Sequence, residues 1–328
     1  MSAGRLAALA LTVSLCACAP KLQPIDLVSV EPQLTPFHLI SDDGAVMPVR
    51  AWLPEGPTRA VILALHGFND YSKAFDDPAA DWRSLGIATY AYDQRGFGAA
   101  PYRGHWAGGD RMARDAGVAL RLLRRRHADV PIFLLGESMG AAIALTLATS
   151  EEPPPVSGLI LIAPAVRGRA ALGGLASTTL WLAGNTIPWY RLTGEGLNIR
   201  PSDNAAVLRE LFEDPMVIKA TRIDAIYGLI DLMDAAVAAG PKLAVPTLVL
   251  YGAHEEVVSV DAAREFIESL PKPPAPVRVA VYPQGYHLLL RDRGAETVIG
   301  DVAAWIERPG EPLPSGADGS GVAAFVAR

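Results

Sequence analysis

The feature that most constrains this chain is a series of short, almost uncharged apolar runs separated by segments of helical length. Ala60–Leu65, Ile87–Tyr92, Pro131–Leu135, Gly158–Ala163, Thr247–Tyr251 and Val277–Tyr282 are each five or six residues long. A run that is apolar on both of its faces fits a strand covered on both sides, as in a parallel sheet. The intervals carry helical signals: Ala79–Leu85, Arg111–His127 with apolar Val118, Leu122 and Leu123, the charge-free Ala141–Ala148, Asp261–Leu270 and Glu296–Glu307. Ahead of them, Phe37–Ile40 and Met47–Leu53 flank an Asp43-Gly44 turn signal and read as a hairpin. Strand and helix alternating in this way predict an α/β fold, a mostly parallel central sheet with helices on both faces.

One interval breaks the rhythm. Between Pro164 and Val245 no strand is expected, whereas Ile223, Ile226, Tyr227, Ile230 and Val237 follow helical spacing. Trp181, Ile187, Trp189 and Tyr190 make the segment densely apolar. We read 165–244 as a helical cap inserted between the core segments 37–164 and 245–308. Residues 19–36 are Pro-punctuated and read as a tether, and the tail 309–328, rich in Pro, Gly, Ser and Ala, is expected to be disordered.

Half of the 328 residues are apolar and a fifth are charged, which allows a large core and excludes global disorder. A net charge of -6 argues against a nucleic-acid binder, which would show a basic stripe. The only dense basic cluster, Arg121–Arg126, ends a predicted helix, where cations meet the helix dipole; contact with anionic lipid is the other reading. Both cysteines, Cys16 and Cys18, fall near the N-terminus, so the folded body has no disulfide or cysteine metal framework. Arg5, the uncharged stretch Leu6–Leu15 and Leu15-Cys16-Ala17-Cys18 make residues 1–18 a signal peptide. Its end resembles a bacterial lipobox, with Cys18 lipidated, and Ala19 lacks the acidity that marks inner-membrane retention. The expectation is export to the cell envelope with a lipid anchor in the outer membrane. An ordinary secretory signal or a retained N-terminal anchor are the alternatives.

The chemistry centres on Gly136-Glu137-Ser138-Met139-Gly140, a G-x-S-x-G pattern between the strand ending at Leu135 and the helix from Ala141. A sharp strand-to-helix turn exposes the serine, and its glycines let neighbouring segments approach without Cβ clashes. Ser138 is the candidate nucleophile, and the N–H of Met139 faces the developing oxyanion. A serine needs a base. Of the six histidines, His287 lies just after the last predicted strand, in a loop reaching the same sheet edge. The expected order Ser, acid, His places the carboxylate in Gly252–Val258, where Glu255 is preferred by its spacing from Gly252 and Glu256 is the alternative. His254 beside them has no partner at metal spacing and reads as a loop residue. The second oxyanion donor is expected at the N–H of Phe68, with His66 bracing that loop by hydrogen bonding. No metal and no organic cofactor is expected.

His66-Gly67, Asp93–Gly98, Gly136–Gly140, Gly252–Val258 and Tyr286-His287 together resemble the α/β-hydrolase family of monoacylglycerol lipases and bacterial lysophospholipases, over roughly 37 to 307. The resemblance implies the α/β-hydrolase fold and hydrolysis of a single-acyl lipid ester, with Ser138, the acid and His287 as a triad. The chain departs from the family by offering Glu where members mostly carry Asp. A peptidase or amidase of the same fold is the runner-up; an acidic cluster in the cap, able to hold a free α-amino group, would favour it, and Asp231 and Asp234 are too ordinary to count. A catalytically inactive, surface-anchored binding protein is a third reading, which an absent triad member would favour.

Overall fold

The computed structural model describes residues 22–23, 29–272 and 276–327. The signal segment 1–18, and Cys18 with it, lies outside the described residues. The core begins with β1 (Gln33–Leu34), β2 (His38–Ile40), β3 (Val46–Trp52), β4 (Ala60–Leu65), α1 (Asp76–Ser84), β5 (Ile87–Tyr92), α2 (Gly109–Arg126), β6 (Ile132–Glu137), α3 (Met139–Ala148) and β7 (Gly158–Ile162). The inserted cap follows, with α4 (Arg169–Leu172), α5 (Gly174–Thr186), β8 (Arg191–Thr193), α6 (Ala205–Glu213), β9 (Ala220–Arg222) and α7 (Ile223–Ala239). The core resumes with β10 (Thr247–Gly252), α8 (Val260–Ser269), β11 (Val277–Tyr282), α9 (Ala295–Glu307) and α10 (Ser320–Val326).

Nine strands form one sheet in the order β1-β2-β3-β5-β4-β6-β7-β10-β11. The first four strands in that order pair antiparallel, and every pairing from β5 onward is parallel. Registers such as Leu65↔Gly136, Glu137↔Ile162 and Gly252↔Tyr282 bring the carboxyl ends of β4, β6, β7, β10 and β11 to one edge of the sheet. Loops leaving that edge face a common space, where open α/β sheets bind ligands.

β4, β5, β6, β7 and β10 are buried at every position, as continuous apolar runs require. Alternate side chains feed two cores. Leu63, Leu134, Leu161 and Val249 pack with α2 and α3, while Ile62, Phe133, Ile160 and Leu250 pack with Trp82 of α1 and Trp305 of α9. Each such side chain contributes about 1.5–3 kcal/mol on full burial. α3 is apolar all round because it is covered all round, between β4, β6, α2 and α7.

Three boundaries differ from the sequence reading. Part of the expected tether 19–36 belongs to the fold: β1 pairs with β2, and the Gln23 side-chain amide donates to His105 O at 2.7 Å. Two-residue β1 is too short to show alternation. The cap holds a small antiparallel sheet, β8 with β9, where only helices were expected. β8 is exposed at all three positions and so leaves no apolar pattern. Of the tail 309–328, expected to be disordered, the described residues 309–327 pack along the sheet instead. Leu313, Ala317 and Phe325 are buried, Val281 N–H donates to Ala317 O at 2.9 Å, Arg278 pairs with Asp318, and Phe325 stacks on Tyr251 with ring centroids 6.3 Å apart. A few anchors at irregular intervals can pin a chain of small residues without any periodic signal.

Candidate active site

β6 ends at Glu137 and α3 begins at Met139, leaving Ser138 alone to make the turn, at φ 54° and ψ -113°. A non-glycine residue held there stores about 1–3 kcal/mol of strain. The surroundings hold it: Ser138 N–H donates to Ile162 O at 2.8 Å, and its carbonyl accepts from Ala141 and Ala165 N–H at 3.0 and 3.1 Å. Close backbone approach explains the glycine after the turn, since a Cβ on Gly140 would stand 2.0 Å from Leu65 O.

The loop after β4 is fixed by a buried imidazole. Gln94 N–H donates to His66 Nε2 at 2.9 Å, so Nδ1 carries the proton and donates to Gly67 O at 2.8 Å. Burial pushes the His66 pKa down, which keeps the ring neutral for this role. A trans peptide points its C=O and N–H in opposite directions. Drawing the Gly67 carbonyl toward His66 therefore turns the Phe68 N–H away from His66. Ser138 lies against this loop, 3.5 Å from where a Cβ on Gly67 would stand. Among the described residues, neither Phe68 N–H nor Met139 N–H donates a hydrogen bond. The Phe68 ring packs edge-on against Phe97 and Trp106.

The loops after β10 and β11 meet in a buried pair, with His287 Nδ1 2.8 Å from Glu255 Oε2. Glu255 Oε1 accepts from the N–H groups of Val257 and Val258 at 2.7 and 3.1 Å. Burial alone would raise the Glu255 pKa, but the charge and hydrogen bond of His287 and these two N–H groups hold it below its ordinary value. Burial alone would lower the His287 pKa, but the charge and hydrogen bond of Glu255 outweigh it and hold it above. Glu256, the alternative acid, is exposed and accepts from Arg200 N–H at 2.7 Å. The structure thus brings Glu255, not Glu256, to His287. No hydrogen bond joins Ser138 to His287 among the described residues; such contacts often tighten only once substrate is bound. His254 is exposed and stacks on Tyr286.

The sequence reading missed a group behind the turn. Arg291 reaches Asp70 at 2.7 Å and Glu137 at 2.9 Å. These residues lie far apart in the chain and form no local motif. The only set of three converging carboxylates among the described residues, Asp42, Asp43 and Asp115, is paired with Arg95, Arg111 and Arg114. Those arginines already supply the cationic partners a metal would.

Comparison with known proteins shows the family to which the chain belongs. Residues 56–294 match the family described as serine aminopeptidase, S33 (Hydrolase_4). The monoglyceride lipase of Rattus norvegicus is 27% identical over 280 residues, covering 80% of this chain and 88% of that protein. Two solved structures share the fold. A monoacylglycerol lipase of Paleococcus ferrophilus superposes with TM-score 0.66 at 19% identity, covering 80% of this chain and 99% of that one. A soluble variant of the Saccharomyces cerevisiae monoglyceride lipase, in complex with a substrate analog, gives 0.69 at 19% identity over 89% and 99%. Fold and relatives define a carboxylic ester hydrolase of the α/β-hydrolase class. The chain belongs to the S33 hydrolase family.

Proposed function

We propose that this chain is a serine hydrolase that cleaves a single-acyl lipid ester, a monoacylglycerol or a lysophospholipid, through an acyl-enzyme. The observation that carries the reading is the buried Glu255–His287 pair, on the sheet edge that also holds the strained Ser138 turn. Ser138 Oγ attacks the ester carbonyl while His287 Nε2 takes its proton, and Glu255 stabilises the imidazolium through Nδ1–H. The N–H groups of Phe68 and Met139 receive the oxyanion. His287 then returns the proton to the leaving alcohol. Water, activated by the same imidazole, releases the fatty acid.

The similarity to monoglyceride lipases supports a glyceryl ester. The cap exposes Leu175, Trp181, Leu182, Trp189 and Tyr190, an apolar surface suited to an amphiphilic substrate. Export and anchoring of the chain to the outer membrane through lipidated Cys18 belong to the same proposal. The family description also admits an aminopeptidase. Against that, Asp231 and Asp234, two cap carboxylates, are both engaged by Arg169.

The test is hydrolysis of monoacylglycerols, lysophospholipids, p-nitrophenyl esters and aminoacyl p-nitroanilides by wild type and Ser138→Ala. Ester cleavage lost in the variant is expected. Preference for the anilides would overturn the lipid reading. Cys18→Ser should move activity from the membrane pellet to the soluble fraction of an expressing bacterium, and activity remaining in the pellet would refute the anchor.

A further inference from the structure

Three of the loops that carry the proposed catalytic groups converge on one side chain. Arg291, on the loop of His287, donates from Nη1 to Asp70 Oδ2 and from Nη2 to Glu137 Oε2. Glu137 immediately precedes Ser138. Asp70 closes the turn that carries the Phe68 N–H, with its own N–H directed to Gly67 O. The three side chains are 9%, 12% and 1% exposed, so water competes little for either contact. Glu137 Oε1 and Arg291 Nε are also buried and have no partner among the described residues.

Burying such a group is poorly rewarded in stability, because desolvation of the charges offsets their attraction. Its geometry suggests another use. A guanidinium is a planar fork that addresses two acceptors in fixed directions. A shift of the turn at Ser138, of the loop at Phe68 or of the loop at His287 strains at least one arm of that fork. We propose that Arg291 is a positioning residue, which through Asp70 and Glu137 holds the oxyanion loop, the serine turn and the histidine loop in mutual register. The inference rests on the serine-hydrolase reading above and adds a residue outside the triad.

The same group sets the charge around His287. The charges that act on the imidazole are Glu255 from the loop after β10, which bonds it directly, Glu137 from the end of β6 and Arg291 from its own loop. Asp70 stands across Arg291, and Asp292 accepts from Tyr286 N–H. The Glu137 carboxylate favours the imidazolium that forms when Ser138 is deprotonated, while Arg291 opposes it. Burial would drive Glu137 toward its neutral form, and the Arg291 charge resists this.

The test compares wild type with Arg291→Lys and Glu137→Gln. It measures kcat and KM for p-nitrophenyl butyrate across pH, with active sites counted by fluorophosphonate labelling of Ser138. Lysine keeps the charge but loses the fork, so Arg291→Lys should lower kcat about tenfold or more with KM changed less than about twofold. Glu137→Gln removes a charge that favours the imidazolium, so the acid limb of kcat/KM should move to lower pH. Asp70→Asn, which breaks the other arm, replaces Arg291→Lys if that variant does not fold, with the same expected loss of kcat. Values of kcat within about twofold of wild type and an unmoved limb would overturn the proposal, even with a lowered melting temperature, since a purely structural ion group leaves the chemistry of the folded fraction alone. Hydrolysis surviving in Ser138→Ala would instead overturn the reading beneath it.

Discussion

Glu255 meets His287 with one carboxylate oxygen and two backbone N–H groups with the other, so its orientation is fixed from both sides. Glu256, next in the chain, points to the cap and meets Arg200. Glu255→Ala should therefore lower kcat by roughly 10³–10⁴, whereas Glu256→Ala should stay within about fivefold of wild type. Steady-state hydrolysis of p-nitrophenyl butyrate decides between them. Equal losses would contradict the geometry.

The pH dependence follows from the same pair. In the proposed mechanism His287 takes the serine proton only when neutral, and Glu255 holds its pKa above the ordinary value. The acid limb of kcat/KM should then have its midpoint above about 6.5, the unperturbed histidine value. In Glu255→Gln the charge that raises it is gone while the burial that lowers it remains, so the limb should shift down. A wild-type midpoint well below the ordinary value would refute this account.

Two glycine-to-alanine changes should have opposite signs. Gly140→Ala would drive a Cβ to 2.0 Å from Leu65 O, a backbone atom that cannot yield without displacing the loop after β4. Loss of both stability and labelling of Ser138 is expected. Gly300, within α9, faces open space, and Gly300→Ala should stabilise by about 0.5–1 kcal/mol through helix propensity. Urea denaturation measures both.

The hairpin and α2 are joined by charge, which should show in acid. Burial alone would raise the Asp42 pKa, but hydrogen bonds and charge from Arg111 and Arg114 lower it to about 2. The stability this gives is fully present above the unfolded-state value and is lost as pH falls through the folded one. At neutral pH it amounts to about 2 kcal/mol. Asp42→Asn should be less stable than wild type at pH 7, and the gap should close in strong acid. A gap independent of pH would show that the pairing contributes nothing.

Much of this was legible in the sequence, for identifiable reasons. Strands such as Ala60–Leu65 and Thr247–Tyr251 announce themselves because burial on both faces demands unbroken apolar runs. Ser138 and His287 were legible because a turn motif and a position after the last strand are local facts. Glu255 was readable from spacing, although only the fold separates it from Glu256. Arg291 was not readable: its partners Asp70 and Glu137 become neighbours only when three strands come into register. Phe325 was hidden for a related reason, as one aromatic among small residues carries no period.

Phe325 itself offers a stability test. It stacks on Tyr251, and Arg264 Nε donates to its carbonyl at 2.9 Å. Phe325→Ala should cost about 3 kcal/mol in urea denaturation. A change within about 0.5 kcal/mol would show that the tail contributes little to the fold.

The path of that tail also bears on how molecules of this protein meet one another. β11 is the last strand of the sheet, and a bare outer strand invites another chain to extend the ladder. Here the Val281 N–H is already taken by Ala317, and α10 lies beside the strand. The final residues act as a selvedge, finishing a border from which intermolecular sheets would otherwise grow. A protein concentrated at a membrane surface, as proposed for this one, has particular need of a border closed in that way.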